Sequence, residues 1–187
     1  MTRIVHSTLC RVFAIVLVIV GIGATIGGNF AHGYVSDQLS QEKITMPSAE
    51  ALTTPEMKDA LEEYSGQRMT TGPLAEAFAN HYIYDHMKQT ADGKTYEEVS
   101  GEYMKCSADE ASKATDECKE LESARQTLFM GDSLRGMLLT AYAWWLVGSV
   151  AIWVGVGCII LGVVLAILGW GVLRTKTHVG KRRRPTK

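Results

Sequence analysis

The stretch "GSVAIWVGVGCIILGVVLAILG", residues 148–169, is apolar enough to cross a bilayer and contains five glycines. Glycine weakens a helix interior, so a segment that only anchors the chain has no need of it. The stretch belongs to an uncharged segment, residues 137–173, and a second uncharged apolar segment covers residues 12–28. Because about 20 apolar residues suffice for a spanning helix, the sequence predicts two transmembrane helices.

The small residues of both segments recur at helical spacing. Steps of three and four keep them on one slowly drifting helix face. Helices in a bilayer associate by close backbone approach over such residues, although glycine is also common in transmembrane helices generally. We predict an antiparallel pair with Gly21 near Gly155, in which residues 158–169 match poorly and stay open to another protein's helix. The predicted packing positions are Gly21, Ala24, Gly28, Gly148, Ala151, Gly155, Cys158, Gly162, Ala166 and Gly169.

Charge is sorted by region. All 20 acidic residues lie in residues 31–135, where 10 Lys and Arg leave a net charge of −10. The other nine basic residues are Arg3, Arg11 and seven within residues 174–187. Basic flanks stay on the cytoplasmic side, so both termini are predicted to be cytoplasmic and the acidic segment extracytoplasmic. No small-x-small cleavage site follows the first apolar segment, so we expect a retained anchor rather than a signal peptide.

Tryptophans mark the predicted interfaces of the second span. From Trp145 to Trp170 a helix rises about 37 Å, close to a bilayer with part of its headgroups. The sequence predicts a cytoplasmic N-terminus (1–11), transmembrane helix 1 (12–30) and an acidic helical extracytoplasmic domain (31–135). A long helix (136–173) follows, which starts above the membrane and spans it over about 146–173. The chain ends in a basic cytoplasmic tail (174–187). The tail is predicted to contact anionic lipid headgroups of the plasma membrane and no nucleic acid.

The segment between the spans is predicted to be all-α. In "TTPEMKDALEEYSG", residues 53–66, Thr54 caps a helix, Pro55 fits its first position and Gly66 ends it. "TYEE" (95–98) and "SADE" (107–110) match the capping box. The predicted core aromatics are Tyr34, Tyr64, Phe78, Tyr82, Tyr96, Tyr103 and Phe129.

The cysteines divide into two pairs. Cys106 and Cys118 lie in the predicted oxidising compartment, where a disulfide is expected. An unbroken helix would separate them by about 18 Å, so either the chain reverses between them or the bond does not form. Cys10 and Cys158 belong to the spans and are interpreted as small apolar side chains.

The best candidate for chemistry is "HYIYDH", residues 81–86. His81 and Asp85 share a helix face at a spacing that metal ligands use, but His86 points about 100° away from Asp85. These three are weak metal candidates, since the motif has no third ligand on that face. We predict no catalytic residue, no cofactor and no transport path, because no nucleophile, phosphate or haem motif occurs and the spans hold no ionisable group.

A family resemblance covers roughly residues 33–148. The stretches that carry it are "VSDQLSQEKITMP", "EEYSGQRMTTGPLAEAFANHYI", "KTYEEVS" and "LFMGDSLRGMLLTAYAWW". They resemble a family of uncharacterised two-span membrane proteins of actinobacteria. Members often bear the automated name of an aromatic ring-opening dioxygenase, which this sequence does not support, because it has no recognisable His, His, carboxylate set. The resemblance implies host class and topology, and no functional residues.

These observations favour a non-enzymatic integral membrane protein. We expect an accessory or scaffolding subunit, or an assembly factor, of a larger cell-envelope complex, with other integral membrane proteins as partners. One alternative is a metal-dependent extracytoplasmic enzyme that uses His81, Asp85 and His86. Another is a sensor of envelope conditions that signals by movement of the helix pair.

Overall fold

The computed structural model describes residues 2–172, and every regular element in that range is a helix. The basic tail at 174–187, with its predicted lipid contact, lies outside the described residues. Two of the helices are long and apolar enough to cross a membrane, Val5–Gln41 and Asp116–Gly171. The prediction of an all-α chain with two long apolar helices is confirmed.

The helices have the following bounds. The first long helix, α1, is Thr2–Gln41, and the last, α7, is Asp116–Ala166, continued by a π-helix at Ile167–Val172. Between them lie α2 (Pro55–Leu61), α3 (Gly72–Ala77), a π-helix (Phe78–Ile83), α4 (Tyr84–Thr90), α5 (Tyr96–Cys106) and α6 (Glu110–Lys113). Short 3-10 turns occupy Ala49–Ala51 and Glu62–Tyr64.

The chain forms two compact units. The helix-pair unit comprises the described residues up to Asn29 and from Val150, and the central unit is Phe30–Ser149. Helix α1 does not end near residue 30, where the predicted span stops, because Val35 and Leu39 continue its apolar face and are buried in the central unit. Helix α7 likewise runs through residue 135 without a break.

Aliphatic and methionine side chains form the core of the central unit. The largest fully buried side chains there are Met46, Leu52, Met57, Leu61, Met69, Val99 and Leu128. The predicted aromatic core is wrong in part: Tyr34 and Phe129 are 59% and 58% exposed. Four rings pack against the edge of the core and are partly buried, namely Tyr64, Phe78, Tyr82 and Tyr96, while Tyr103 is half-buried. Unbranched methionine fills the irregular gaps between such short helices more readily than a rigid ring does.

Helix caps in the central unit agree with the sequence at two of three positions. Thr54 Oγ1 accepts a hydrogen bond from Met57 N at 3.1 Å, and Thr95 and Glu98 form the reciprocal capping box. The bond from Thr95 N lowers the pKa of the Glu98 carboxyl. The third prediction is wrong: Ser107 ends α5, and Asp109 caps α6 because its carboxylate accepts from Ser112 N at 3.0 Å.

The buried leucine of α2 provides a test of the core. We expect Leu61→Ala, at a side chain with 0% exposure, to lower the free energy of unfolding by about 2–5 kcal/mol, because it leaves a cavity. Chemical denaturation of the detergent-purified chain measures the change. The control is Tyr34→Ala, on an exposed ring, which should cost well under about 1 kcal/mol. Equal losses for the two variants would contradict this description of the core.

Candidate functional site

The helix-pair unit is held together by backbone contact at glycine. A Cβ atom built on Gly155 would lie 2.5 Å from Thr25 Oγ1 and 2.7 Å from the Gly21 carbonyl oxygen. A Cβ on Gly21 would lie 2.6 Å from the Gly155 carbonyl oxygen. Neither position has room for a side chain, so α1 and α7 approach here as closely as their backbones allow. The structure thus brings Gly21 and Gly155 together, in the register that the sequence predicts.

The ten residues of the predicted packing face are all buried or half-buried. Its six glycines are buried, and its other four positions are half-buried: Ala24, Ala151, Cys158 and Ala166. Glycines off this face have open space beside them, namely Gly23, Gly27, Gly157 and Gly171. The half at 158–169 is not open to another helix as predicted, since Gly162 packs on Ala14 and Val18 and Gly169 packs on Cys10 and Arg11.

A polar cluster lies at one end of the helix pair. The Gly169 carbonyl oxygen accepts from Ser7 Oγ at 2.9 Å and from Arg11 Nε at 3.0 Å. The Arg11 guanidinium also lies 5.3 Å from the centre of the Trp170 ring. Ser7 is buried, so its hydroxyl needs such an acceptor. The sequence analysis used Arg11 only as a marker of topology and did not consider Ser7.

A second arginine makes a similar contact in the central unit. Arg135 of α7 donates from Nε to the Ala79 carbonyl oxygen at 3.1 Å and from Nη2 to Asn80 Oδ1 at 3.3 Å. Its guanidinium lies 4.5 Å from the centre of the Tyr84 ring. Ala79, like Gly169, belongs to a π-helix, a widened turn that is frequent at functional sites. Sequence reasoning missed Arg135, because its partner carbonyl is 56 residues away and no periodic pattern links the two.

A histidine and a tryptophan stack where α1 and α7 meet within the central unit. The His32 and Trp145 rings are parallel within 6° and their centres are 4.0 Å apart. His32 Nε2 lies 2.9 Å from the Trp145 carbonyl oxygen, to which it donates, and 3.0 Å from Ser149 Oγ. A Cβ on Gly72 would overlap Trp145, so α3 begins directly against this side chain. Trp145 is therefore a packing residue here, whereas Trp144 is 60% exposed.

The predicted metal candidates are engaged separately. His86 Nδ1 donates to the Tyr82 carbonyl oxygen at 2.8 Å. Asp85 lies 3.6 Å from Lys88 Nζ and accepts a long hydrogen bond, 3.5 Å, from Thr54 Oγ1. Among the described residues, no group of three His, Cys, Asp or Glu side chains is arranged to hold a metal ion. His81, Asp85 and His86 therefore do not form a three-ligand metal site in this structure.

Cys106 and Cys118 form a disulfide, the pairing that the sequence analysis expected. Their Cα atoms are 5.8 Å apart because the chain reverses between them. Helix α5 ends at Cys106, the single turn of α6 follows, and α7 starts at Asp116. The bond therefore ties the end of α5 to the first turn of α7. Cys10 and Cys158 are free and half-buried.

No protein-family model, curated protein or solved structure matches this chain. The candidate contacts are therefore assigned from geometry and chemistry. Two of these contacts join distant parts of the chain through an arginine, Arg11 or Arg135. A third joins α1 and α7 through the backbones of Gly21 and Gly155.

The helix pair supplies a matched test with two neighbouring glycines. We expect Gly155→Leu to destabilise the detergent-purified chain by about 1–3 kcal/mol, because the new side chain has to displace backbone of α1. Gly157→Leu adds the same side chain where nothing lies within 4 Å, so it should be neutral or slightly stabilising. Thermal unfolding of both variants beside the unmodified chain measures this difference. A loss of the same size for both would show that the contact at Gly155 is not tight.

Proposed function

We propose that this protein is a non-enzymatic two-pass plasma-membrane protein, an accessory or scaffolding subunit or an assembly factor of a larger cell-envelope complex. Its partners in this proposal are other integral membrane proteins. The observation that carries the proposal is an exposed apolar surface on the part of α7 that belongs to the central unit.

This surface, the α7 stripe, consists of Met130, Leu134, Met137 and Trp144. Their exposed fractions are 56%, 40%, 70% and 60%. Steps of four, three and seven residues place all four on one helix face, the spacing with which a helix contacts another helix. A contiguous exposed apolar surface on a folded unit marks an interaction site.

Lipid does not account for the α7 stripe under the proposed topology. A helix from Trp145 to Trp170 already rises about 37 Å, which takes up the hydrocarbon core and part of the headgroups. Trp144 lies at the interface, but Met137 and Met130 lie about 12 Å and about 22 Å along the helix beyond Trp145. Water would surround Met130, Leu134 and Met137 unless a protein covers them. We therefore commit to an apolar helix of another membrane protein, continuing above its own span, as the occupant.

The proposed orientation rests on charge. Residues 31–135 carry a net charge of −10, whereas basic residues flank the two apolar segments on their other sides. Positive flanks are retained in the cytoplasm, which supports cytoplasmic termini and an extracytoplasmic domain with its disulfide in an oxidising compartment. The resemblance of residues 33–148 to two-span actinobacterial proteins supports the same topology, and we propose membership in that family on this basis.

Cysteine labelling of intact cells tests the orientation. In a Cys10→Ser, Cys158→Ser background, we expect Lys113→Cys to react with a membrane-impermeant maleimide, because Lys113 is exposed in the central unit. Lys187→Cys should react only after the cells are opened. Labelling of Lys187→Cys on intact cells, or protection of Lys113→Cys, would overturn the proposed topology.

Site-specific photo-crosslinking tests the role of the α7 stripe. A photoreactive residue at Met137 should form an adduct with another membrane protein. At Gly136 it should not, because Gly136 has open space around it but lies about 100° around the helix from Met137. The adduct partner should co-purify in mild detergent, be lost with Met137→Lys and be retained with Gly136→Lys. A chain that extracts alone, or a partner that both variants retain, would contradict the proposed function.

A further inference from the structure

A cleft of about 280 Å³ opens in the central unit beside the Arg135 cluster. Its apolar lining includes Met87, which is 8% exposed, and Leu128, which is 1% exposed. Two aromatic rings, Tyr84 and Tyr96, complete the lining on either side. A small cleft with apolar and aromatic walls and a few polar groups is the usual form of a small-molecule site.

Most of the charged side chains that line this cleft are cations. Lys88, Lys94 and Arg135 line it together with one carboxylate, Asp132, which leaves a net charge of +2. Neighbouring clefts differ in this respect. One near Phe129 is lined by a single glutamate and a single arginine, and another is lined by four carboxylates and one lysine. Asp85 and Glu102, which pair with Lys88 and Lys94 from outside the lining, balance this charge, so the cleft presents paired cations within a segment of net charge −10.

Two of the three cations keep bonding capacity free. Lys94 Nζ is held by the Glu102 carboxylate at 2.7 and 2.9 Å. The ion pairs of the other two are long: Lys88 lies 3.6 Å from Asp85 Oδ1, and Arg135 Nη1 lies 3.8 Å from Asp132 Oδ1. Arg135 is already fixed through Nε and Nη2, so the remaining donors of its guanidinium are held in position without a close carboxylate.

The same two cations lie against one aromatic ring. Lys88 Nζ is 4.2 Å and the Arg135 guanidinium carbon 4.5 Å from the centre of the Tyr84 ring. The Arg135 side chain is 22% exposed and that of Lys88 is 50% exposed, so a ligand can reach both from solvent. Partial burial of Arg135 also makes an added hydrogen bond to an anion stronger than at a fully exposed site.

We propose that this cleft binds a small organic anion. Its carboxylate or phosphate group contacts Lys88 and the free guanidinium edge of Arg135, and its apolar or aromatic body packs on the Tyr84 and Tyr96 rings that line the cleft. The site is independent of the α7 stripe, because it is formed by α4, the start of α5 and a different face of α7. The alternative is that Lys88, Tyr84 and Arg135 only connect α4 to α7. In that case the cleft would have no affinity for a soluble anion, so a binding measurement distinguishes the two roles.

Calorimetric titration of the detergent-purified full chain tests the site with two anions of similar shape, phenylacetate and phenyl phosphate. We expect saturable binding of at least one, and the tighter of the two identifies the preferred anionic group. Phenylacetamide, a neutral analogue, should bind at least about ten-fold more weakly, because it cannot form the charged hydrogen bonds.

A lysine pair supplies the matched control. Lys88→Met should weaken binding of the preferred anion about ten-fold, whereas Lys58→Met, at an exposed lysine of α2 outside the cleft, should leave it unchanged. Thermal unfolding confirms that both variants are folded. The proposal is overturned if neither anion binds saturably, if phenylacetamide binds as well as the anion, or if Lys88→Met has no more effect than Lys58→Met.

Discussion

Backbone contact between α1 and α7 is the constraint on which the helix-pair unit depends. At Gly21 and Gly155 each backbone occupies the place where a Cβ of the other would lie. In a bilayer, where apolar side chains gain little by leaving lipid, such contact is a main source of helix association. Small residues allow this backbone contact only when both helices carry them at facing positions. The contact therefore explains why glycine occurs in these helices, although glycine has a low helix propensity.

Arginine bonding to carbonyl groups within helices links elements that are remote in sequence. Arg11 bonds to Gly169 and Arg135 bonds to Ala79, and both acceptors lie in π-helical turns. In each case the guanidinium also contacts an aromatic ring, Trp170 or Tyr84. A planar group with several fixed donors satisfies a carbonyl and a ring face at once, which a lysine does not do. These contacts fix where one helix lies along another within each unit.

The central unit combines a net negative charge with an exposed apolar stripe and a cleft lined mainly by cations and aromatic rings. Its core is formed by methionine and aliphatic side chains, so the aromatic rings are left at its edge and surface. Tyr84 and Tyr96 consequently line the cleft instead of filling the interior. The proposed partner contact and the proposed anion site thus use different residues, and either can be altered without the other.

The sequence by itself determined the features that depend on local spacing or on composition. These include two long apolar helices, the small-residue face with Gly21 opposite Gly155, the cap at Thr95 and the chain reversal between Cys106 and Cys118. Periodicity and capping chemistry act over a few residues, so the chain order reveals them. The tertiary structure alone decided which side chains form the core, the contacts of Arg135 and His32, and which cations line the cleft. The hydrogen bonds of Arg135 and His32 join residues separated by 55 to 117 positions, and no local pattern encodes which distant partner a side chain meets.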